Sequence, residues 1–561
     1  MAGTLTTARR LPVAGVRAPL LLAAVALLLF TTGLGRGSLW DQDEPRYTDI
    51  ARQIAERGDP ITLYHNGEPW FVHPPLFMWL VAATGALFGF SEFTARIWTA
   101  LFGAAGVLMT FLVGRRLYGT RAGLVAGLIV MTTLEYFVLS RLAIFDMVLV
   151  TFMLATLFMV LVAEEAEAGA RRRALRWAFV WAALATLTKG PIGLLLPAMV
   201  VGVWWLSRGL LLRRLRAIPW EGVLLYALIG LSWYAVEAGR HGLPFLQRIV
   251  GYYMVGRFFG VVENQPGPWY YYFPVLALGG FPWSAFLPSL AVYHGRRLRR
   301  DPRSLLLLLW IGVTVLFYSL AGTKLPNYVL PVFPIAAIAA APLWERALWE
   351  RDDQGEGERR GEAASLLRWS AGLLLAAGLL LGMAVLIYGR TRHPGEFAVV
   401  LPHMRLLGIM LAGGVGLAAL LLGARAYRRG FAVLCATMAV TLSTLALATV
   451  PHVERVRATK PIALALRAVV RPEDRVAGVG LSDRSSLIYY GGHPIIWVIG
   501  EYYTRRVLCG PGRAFLIISR AEYERWARAA FADELITLQQ MGDMVLLRTA
   551  AALACPSTPP P

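Results

Sequence analysis

The sequence contains few charged residues and almost no lysine, asparagine or cysteine. Charged residues make up 16% of the 561-residue chain, whereas hydrophobic residues make up 57%. A soluble globular protein carries about 25% charged residues, so this composition excludes an ordinary soluble enzyme. The abundance of apolar side chains also excludes a disordered chain. The three cysteines, Cys435, Cys509 and Cys555, are too few for a disulfide scaffold and form no CxxC metal-binding pair.

The formal net charge is +20, because 55 lysine and arginine residues outnumber 35 acidic ones. Only Lys189, Lys324 and Lys460 are lysines, so nearly all of this charge is arginine. In a soluble protein such an excess would suggest a nucleic-acid partner. In a membrane protein it needs only basic loops on the cytoplasmic side. The position of the arginines along the chain decides between the two.

Fourteen apolar stretches approach the ~20 residues that cross a bilayer. If all fourteen cross it, most arginine clusters fall outside the cell, against the positive-inside rule. The stretch 75–90 is short, follows Pro74 and contains two glycines, so we place it on the membrane surface. The sequence then predicts a polytopic α-helical membrane protein with thirteen transmembrane helices, a cytoplasmic N-terminus, an extracytoplasmic C-terminus and no nucleic-acid partner. The arginine-rich cytoplasmic loops become 114–121, 164–173, 208–219, 293–303, 345–366 and 425–430.

The pattern changes near residue 451, where long apolar runs give way to short ones. Residues 1–450 are therefore predicted to form a transmembrane domain, and residues 451–561 an extracytoplasmic α/β domain. The predicted strands are Val476–Leu481, Leu487–Tyr490, Pro494–Ile499, Ala514–Ile518 and Met544–Leu547, and the predicted helices cover about 459–470 and 521–531. Cys509 and Cys555 both lie outside in this topology, where disulfides are allowed, and the sequence leaves their pairing open.

Carboxylates collect in the outer loops. The loop 35–96 should contain juxtamembrane helices, the first of them from Asp43 to about Arg57, because an acidic residue just before Pro45 is a typical helix start. On that helix Asp43, Arg46 and Tyr47 share one face. Asp146 begins a later span on the same side of the membrane. The two aspartates are a candidate pair for catalysis or for a divalent cation; helix capping is the alternative interpretation.

Scarce cations lie on the same outer side. His73 stands beside a Pro-Pro pair at the predicted membrane surface, and Lys189 and Lys324 stand at outer helix ends. The outer loop 237–269 adds Arg257. Snorkelling would be an ordinary explanation for the lysines. Carboxylates beside several cations at the lipid boundary are, however, what a site for a lipid-linked phosphate requires.

Five motifs occur together in this order and resemble the bacterial lipid A aminoarabinose transferases and the related protein mannosyltransferases, which are integral-membrane GT-C glycosyltransferases. The resemblance covers essentially the whole chain, and the motifs are specific as a set rather than singly. They are Asp43-Glu44-Pro45-Arg46-Tyr47, Phe71-Val72-His73-Pro74-Pro75-Leu76, Arg141-Leu142 with Asp146, Leu187-Thr188-Lys189-Gly190, and Lys324-Leu325-Pro326-Asn327-Tyr328 followed by Leu330-Pro331.

The resemblance implies a GT-C fold and a reaction at the outer face of the bacterial cytoplasmic (inner) membrane. A sugar would leave a polyprenyl-phosphate carrier, with inversion, and pass to a lipid, glycan or protein acceptor. Asp43 would be the catalytic aspartate and Asp146 the second acidic residue, with Glu44 as acidic support. A divalent metal between Asp43 and Asp146 is a further expectation, and no nucleotide is required. The expected carrier-phosphate or substrate-binding residues are Arg46, Tyr47, His73, Lys189, Arg257, Lys324 and Tyr328.

Two residues depart from the family pattern. His73 stands where aminoarabinose transferases usually carry lysine, and Trp70 stands where they usually carry tyrosine. Imidazole binds phosphate less strongly than an ammonium group when it is neutral, and its charge varies near neutral pH. This favours a relative with a different sugar or acceptor. A protein O-glycosyltransferase is the closest alternative; a transporter, which would place its ionisable groups near the membrane midplane, and a non-catalytic lipid-binding protein are more distant ones.

Overall fold

The computed structural model describes residues 14–349, 357–391, 400–481, 484–526 and 534–556. Helices dominate up to residue 454, with one short hairpin of β1 (Tyr64–His65) and β2 (Glu68–Pro69) in the first outer loop. The helices of the first half are α1 (Ala14–Thr31), α2 (Asp43–Arg57), α3 (Leu76–Phe88), α4 (Glu92–Tyr118), α5 (Thr120–Met131), α6 (Leu134–Leu139), α7 (Asp146–Glu165), α8 (Ala168–Lys189) and α9 (Ile192–Ser207).

The second half of the helical part contains shorter and more irregular elements. A π-helix covers Gln247–Gly256, and 3₁₀ turns cover Trp283–Phe286 and Pro326–Val329. The remaining helices are α10 (Leu211–Arg216), α11 (Trp220–Gly230), α12 (Ser232–Leu246), α13 (Arg257–Phe259), α14 (Tyr272–Gly279), α15 (Leu287–Gly295), α16 (Pro302–Leu320), α17 (Val332–Trp349), α18 (Gly357–Thr391), α19 (Leu401–Gly423), α20 (Tyr427–Thr444) and α21 (Val450–Glu454).

Six helices within the described ranges are long and apolar enough to cross a membrane, and two bent helix pairs raise the number to as many as eight. The polytopic helical class is therefore confirmed, whereas the number thirteen stays a prediction. The stretch 75–90 forms α3, whose 13 residues extend only about 20 Å, short of a ~30 Å hydrocarbon core. A single span over 122–139 is wrong: α5 ends at Met131, where the hydroxyls of Thr132 and Thr133 bond back to backbone carbonyls.

The predicted helix in the first outer loop is confirmed with its bounds. Asp43 and Glu44 fill the first turn of α2, where carboxylates interact favourably with the helix dipole. Gly58 ends the helix in the left-handed conformation and donates its N–H to the carbonyl of Ile54. The C-terminal end of α2 is thus closed by the local sequence, and Asp43 at its start keeps a partly accessible side chain.

The tail forms a five-stranded mixed sheet with helices, as predicted. The strands are β3 (Arg475–Val479), β4 (Ile496–Val498), β5 (Ala514–Ser519), β6 (Leu535–Met541) and β7 (Met544–Thr549), in the order β4-β3-β5-β7-β6. The helices are α22 (Thr459–Val469), α23 (Ser485–Gly491), α24 (Glu501–Leu508) and α25 (Arg520–Trp526). Cys509 and Cys555 form a disulfide.

Two details of the predicted tail are wrong. Residues 487–490 belong to helix α23 rather than to a strand, because a short apolar run does not by itself distinguish the two. Every residue of α23 is buried, so no polar face marks the helical period. Strand β6 was missed because its sequence, Leu-Ile-Thr-Leu-Gln-Gln-Met, lies at the sheet edge and is mostly exposed.

Candidate active site

Asp43 stands at the first position of α2, within a group of charged and aromatic residues. Arg46 lies one turn further on, 3.9 Å from the carboxylate, and the phenol of Tyr47 bonds to the same carboxylate. The surrounding protein withdraws the Asp43 carboxyl group from bulk water and so raises its pKa; Asp146 and Glu263 raise it further, against Arg46 and Tyr47. Because 46% of the side-chain surface remains accessible, a second molecule can still reach this carboxylate.

Asp146 begins α7 and is almost fully buried. One carboxylate oxygen accepts a bond from the ammonium of Lys189, at the end of α8, with an Nζ–Oδ1 distance of 2.5 Å. The other oxygen accepts from the amide of Asn327 at 2.9 Å. Lys189 also lies 4.8 Å from the ring centre of Tyr328 and 5.0 Å from that of Phe145. Asp146 therefore fixes the scarce lysine at the mouth of the bundle.

A cavity of about 230 Å³ lies next to this ion pair. Its polar wall carries His73, Lys189, Arg257 and Tyr328, which the sequence predicted as binding residues. Asp43 lies within electrostatic range of Tyr328, and Arg46 within range of His73. Aliphatic and aromatic side chains complete the lining: Val72, Pro191, Ile192, Leu195, Tyr234, Tyr253, Met254, Phe258, Phe317, Tyr318 and Ala321, together with Thr323.

Each cation of the site has a carboxylate partner. Arg257 pairs with Glu263 at 2.5 Å, as Lys189 pairs with Asp146 and Arg46 with Asp43. Glu263 has a φ of +56°, a left-handed conformation that is uncommon outside glycine. It is also the more exposed partner, with 33% of its side-chain surface accessible against 4% for Asp146. An anion entering the cavity would thus displace Glu263 from Arg257 more easily than Asp146 from Lys189.

His73 lies at the cavity wall between aromatic rings. Its ring centre is 4.6 Å from that of Phe145 and 5.9 Å from that of Trp70. Burial, together with the positive charges of Arg257, Lys189 and Arg46, holds the pKa of His73 well below its usual value. The imidazole is therefore neutral in the empty site at neutral pH.

Two predicted site residues lie elsewhere. Glu44, predicted as acidic support, is 2% exposed and bonds to Arg96 and to the backbone N–H of Ala143, so it anchors α2 instead of facing the cavity. Lys324 donates to the carbonyl of Ala321 and is not part of the cavity lining. Conversely, Asn327 and Glu263 received no predicted role, although Asn327 stands within the Lys324–Tyr328 motif that could have indicated it.

The described residues contain no group of three or more histidine, cysteine, aspartate or glutamate side chains placed to hold a metal ion. Both oxygens of Asp146 are already engaged by Lys189 and Asn327. Asp43 and Asp146 supply only two carboxylates, so a cation here would need further ligands from substrate or water. The metal between Asp43 and Asp146 stays a prediction.

Comparison with known proteins identifies the class of this fold. The chain superposes on crystal structures of ArnT from Cupriavidus metallidurans, one of them bound to undecaprenyl phosphate, with a TM-score of 0.77 over 96% of this chain and 99% of that one, at 24% sequence identity. A family model described as dolichyl-phosphate-mannose-protein mannosyltransferase matches residues 72–234. The protein thus has the GT-C glycosyltransferase fold.

Comparison with individual sequences shows which transferases the chain is similar to. The chain is 29% identical over 389 residues to an undecaprenyl phosphate-α-4-amino-4-deoxy-L-arabinose arabinosyl transferase of Pectobacterium carotovorum, covering 67% of this chain and 65% of that protein. It is 30% identical over 375 residues to the protein of the same name from Pseudomonas paraeruginosa, covering 65% of this chain and 64% of the relative. The match therefore spans just under two thirds of either relative. The resemblance predicted from the motifs is confirmed.

Proposed function

We propose that the protein is an inverting glycosyltransferase that moves a sugar from a polyprenyl-phosphate carrier to a lipid or glycan acceptor. The reaction takes place at the outer face of the bacterial cytoplasmic membrane. The N-terminus is cytoplasmic and the α/β domain extracytoplasmic. This orientation places the arginine-rich loops on the cytoplasmic side, as the positive-inside rule favours. One observation carries the proposal: the accessible carboxylate of Asp43 lies within electrostatic range of Asp146 and Tyr328, beside a cavity that Lys189 and Arg257 line together with apolar side chains.

The carboxylate and the cations of this site match the two requirements of the reaction, a base for the acceptor hydroxyl and stabilisation of the leaving phosphate. Asp43 accepts the proton of the acceptor hydroxyl as that oxygen attacks the anomeric carbon. Lys189, Arg257 and the Tyr328 hydroxyl stabilise the charge that develops on the departing carrier phosphate. The apolar side chains of Ile192, Leu195 and Phe258 offer contacts to the polyprenyl chain. The energy comes from the sugar–phosphate bond, so the proposal needs no nucleotide.

The direct test is acceptor-dependent release of the carrier. Purified protein in liposomes is incubated with an undecaprenyl-phosphate-linked aminoarabinose and with lipid A, and free undecaprenyl phosphate and glycosylated product are both quantified by mass spectrometry. We expect both to appear together, with the opposite anomeric configuration in the product by NMR. A parallel reaction with a Ser/Thr-rich peptide tests the protein O-glycosyltransferase alternative. Absence of transfer from polyprenyl-phosphate donors to any acceptor would overturn the proposal.

We expect substitutions of Arg257 and of Glu263 to have opposite effects on carrier binding. Arg257→Gln removes a charged hydrogen bond to phosphate, worth about 1.5–3 kcal/mol, so we expect the Kd for undecaprenyl phosphate to rise about tenfold to hundredfold. Glu263→Gln removes the internal competitor and should lower the Kd. Binding is measured by intrinsic fluorescence or native mass spectrometry. Arg520→Gln is the matched control, because it breaks an exposed ion pair, with Glu524 at 2.8 Å, in the C-terminal tail and lines no part of the cavity. Equal affinities for all three variants would contradict the assignment of Arg257.

We expect His73 to make the affinity for the carrier depend on pH. The empty site favours neutral imidazole, since the pKa of His73 lies well below its usual value, whereas a bound phosphate anion favours the protonated ring. Binding is therefore coupled to proton uptake, and affinity should increase as the pH falls from about 8 to about 6. Titration of the phosphate itself affects every variant equally. The slope should thus be smaller in His73→Gln than in the wild type; identical slopes would show that His73 does not face the phosphate.

A further inference from the structure

The helix α23 of the α/β domain holds the segment that carries Asp43. The carboxylate of Asp41, two residues before Asp43, accepts the backbone N–H of Ser486 at 2.8 Å and also the Ser486 hydroxyl. These bonds occupy the first turn of α23, whose own N-cap residue, Arg484, makes no side-chain capping bond. A carboxylate 445 positions away in the sequence thus caps this helix.

Two further bonds tie the same helix to the same segment. The Tyr490 hydroxyl accepts the N–H of Leu39 at 2.8 Å, and Arg52 of α2 donates to the carbonyl of Tyr489 at 2.9 Å. The segment 39–52 is therefore bonded to α23 on both sides of Asp43. A second attachment lies just beyond it, where Asn66 and the backbone of Ile495 exchange two hydrogen bonds at 2.8 and 2.9 Å.

The helix α23, which makes these bonds, is well packed and can therefore fix the position of the segment that it binds. All seven of its residues are buried, and Gly492 closes its C-terminal end in the left-handed conformation. It packs against both α22 of its own domain and α2 of the first outer loop. Asp41 itself is exposed, and Gln42 makes no side-chain capping bond to α2. The start of α2 is thus held on two sides, by Asp41 to α23 and by Glu44 to Arg96 and to the N–H groups of Trp40 and Ala143.

We propose that Ser486 is a positioning residue for the transfer reaction, which acts on Asp43 by fixing Asp41. The inference rests on the proposed function of Asp43 and adds a catalytic role for the α/β domain. A general base must keep its oxygen within hydrogen-bond reach of the acceptor hydroxyl, and a displacement of about 1 Å can lower a rate 10²-fold. Loss of the Ser486 hydroxyl should therefore lower turnover while leaving the carrier site intact.

The test compares Ser486→Ala, Asp41→Asn and the double variant in the full-length protein. We expect kcat to fall about tenfold in each single variant with the donor KM within twofold, and the double variant to be no slower than the slower single one, because both act on one contact. Hydrogen exchange of backbone amides in residues 39–47 should rise. Ser519→Ala is the matched control: its hydroxyl accepts the N–H of Glu522 inside the same domain and does not contact the first outer loop.

Four outcomes separate this inference from the proposed function. Wild-type kcat and wild-type exchange at 39–47 in Ser486→Ala would overturn the positioning role, and so would an equal fall in kcat for Ser519→Ala, which would indicate a loss of domain stability only. If Asp43→Asn abolishes transfer and Ser486→Ala does not change it, the positioning role alone fails. If Asp43→Asn retains transfer, the function of Asp43 fails, and the positioning role with it.

Discussion

Replacement of Asp43 with asparagine is expected to lower sugar transfer by about 10²- to 10⁴-fold, the usual contribution of a general base. Asparagine has nearly the same shape but cannot accept the proton of the acceptor hydroxyl. The hydrogen bond that Tyr47 makes to this side chain can persist with the amide oxygen, so α2 should keep its fold. Because the carrier lies against Lys189 and Arg257, the donor KM should change far less than kcat.

The pH profile provides an independent check on the same residue. A base acts only in its deprotonated form, and the pKa of Asp43 is raised by its withdrawal from water and by the nearby Asp146 and Glu263. Transfer by the wild type should therefore fall as the pH drops through this raised pKa, at a higher pH than an ordinary aspartate would show. The residual activity of Asp43→Asn should lack that limb.

Glu56→Gln is the matched control for Asp43→Asn. Glu56 lies on the same helix, has 58% of its side-chain surface exposed, pairs with Arg52 at 3.7 Å and accepts a hydrogen bond from Gln53 at 3.4 Å. It undergoes the same change from carboxylate to amide, away from the cavity. We expect wild-type transfer in this variant. Unchanged transfer in Asp43→Asn, with product of the same configuration, would exclude Asp43 as the base.

The parts of the site that the sequence predicted correctly depend on local spacing. Asp43, Arg46 and Tyr47 come together because α2 begins at Asp43 and residues three and four apart share a helical face. The helix bounds followed from Pro45 and Gly58, whose effects are also local. His73, Lys189 and Tyr328 were identified through the family motifs, and Arg257 through its place in the loop 237–269. Their shared cavity depends on helix packing that spacing along the chain does not specify.

The errors occurred where a distant partner decides the structure. Glu44 was predicted as acidic support through the motif that begins at Asp43; it points about 100° around α2 from Asp43, and Arg96 on α4 binds it. Residues 487–490 were predicted as a strand because their short apolar run shows no helical period, and the residue that caps their helix, Asp41, lies 445 positions before Ser486. The ion pairs of Lys189 with Asp146 and of Arg257 with Glu263 likewise join separate segments. In each case the sequence identifies a residue that needs a partner, but it does not show which residue that partner is.

We expect the buried ion pair of Arg96 and Glu44 to contribute most of the free energy that holds the start of α2 against α4. Two guanidinium nitrogens of Arg96 each lie 2.7 Å from a Glu44 oxygen, and the same group donates to the carbonyls of Leu34, Gly37 and Ser38. Both side chains are at least 94% inaccessible. Removal of one member of such a pair leaves a buried charge without compensation, which costs about 3–5 kcal/mol. Arg96→Met should therefore lower the unfolding midpoint in detergent markedly.

The control for Arg96→Met is Arg172→Met, which breaks an ion pair of similar length, 2.6 Å to Glu221, with an arginine whose side chain is 53% exposed. An exposed pair contributes about 0–1 kcal/mol, so its unfolding midpoint should scarcely change. Adding Glu44→Gln to Arg96→Met removes the uncompensated charge and should recover part of the loss. If Arg96→Met and Arg172→Met unfold alike, Glu44 is not held as a buried anion. Its bond to the N–H of Ala143 would then be accepted by a neutral carboxyl group, which holds the loop before Asp146 against α2 more weakly than a carboxylate does.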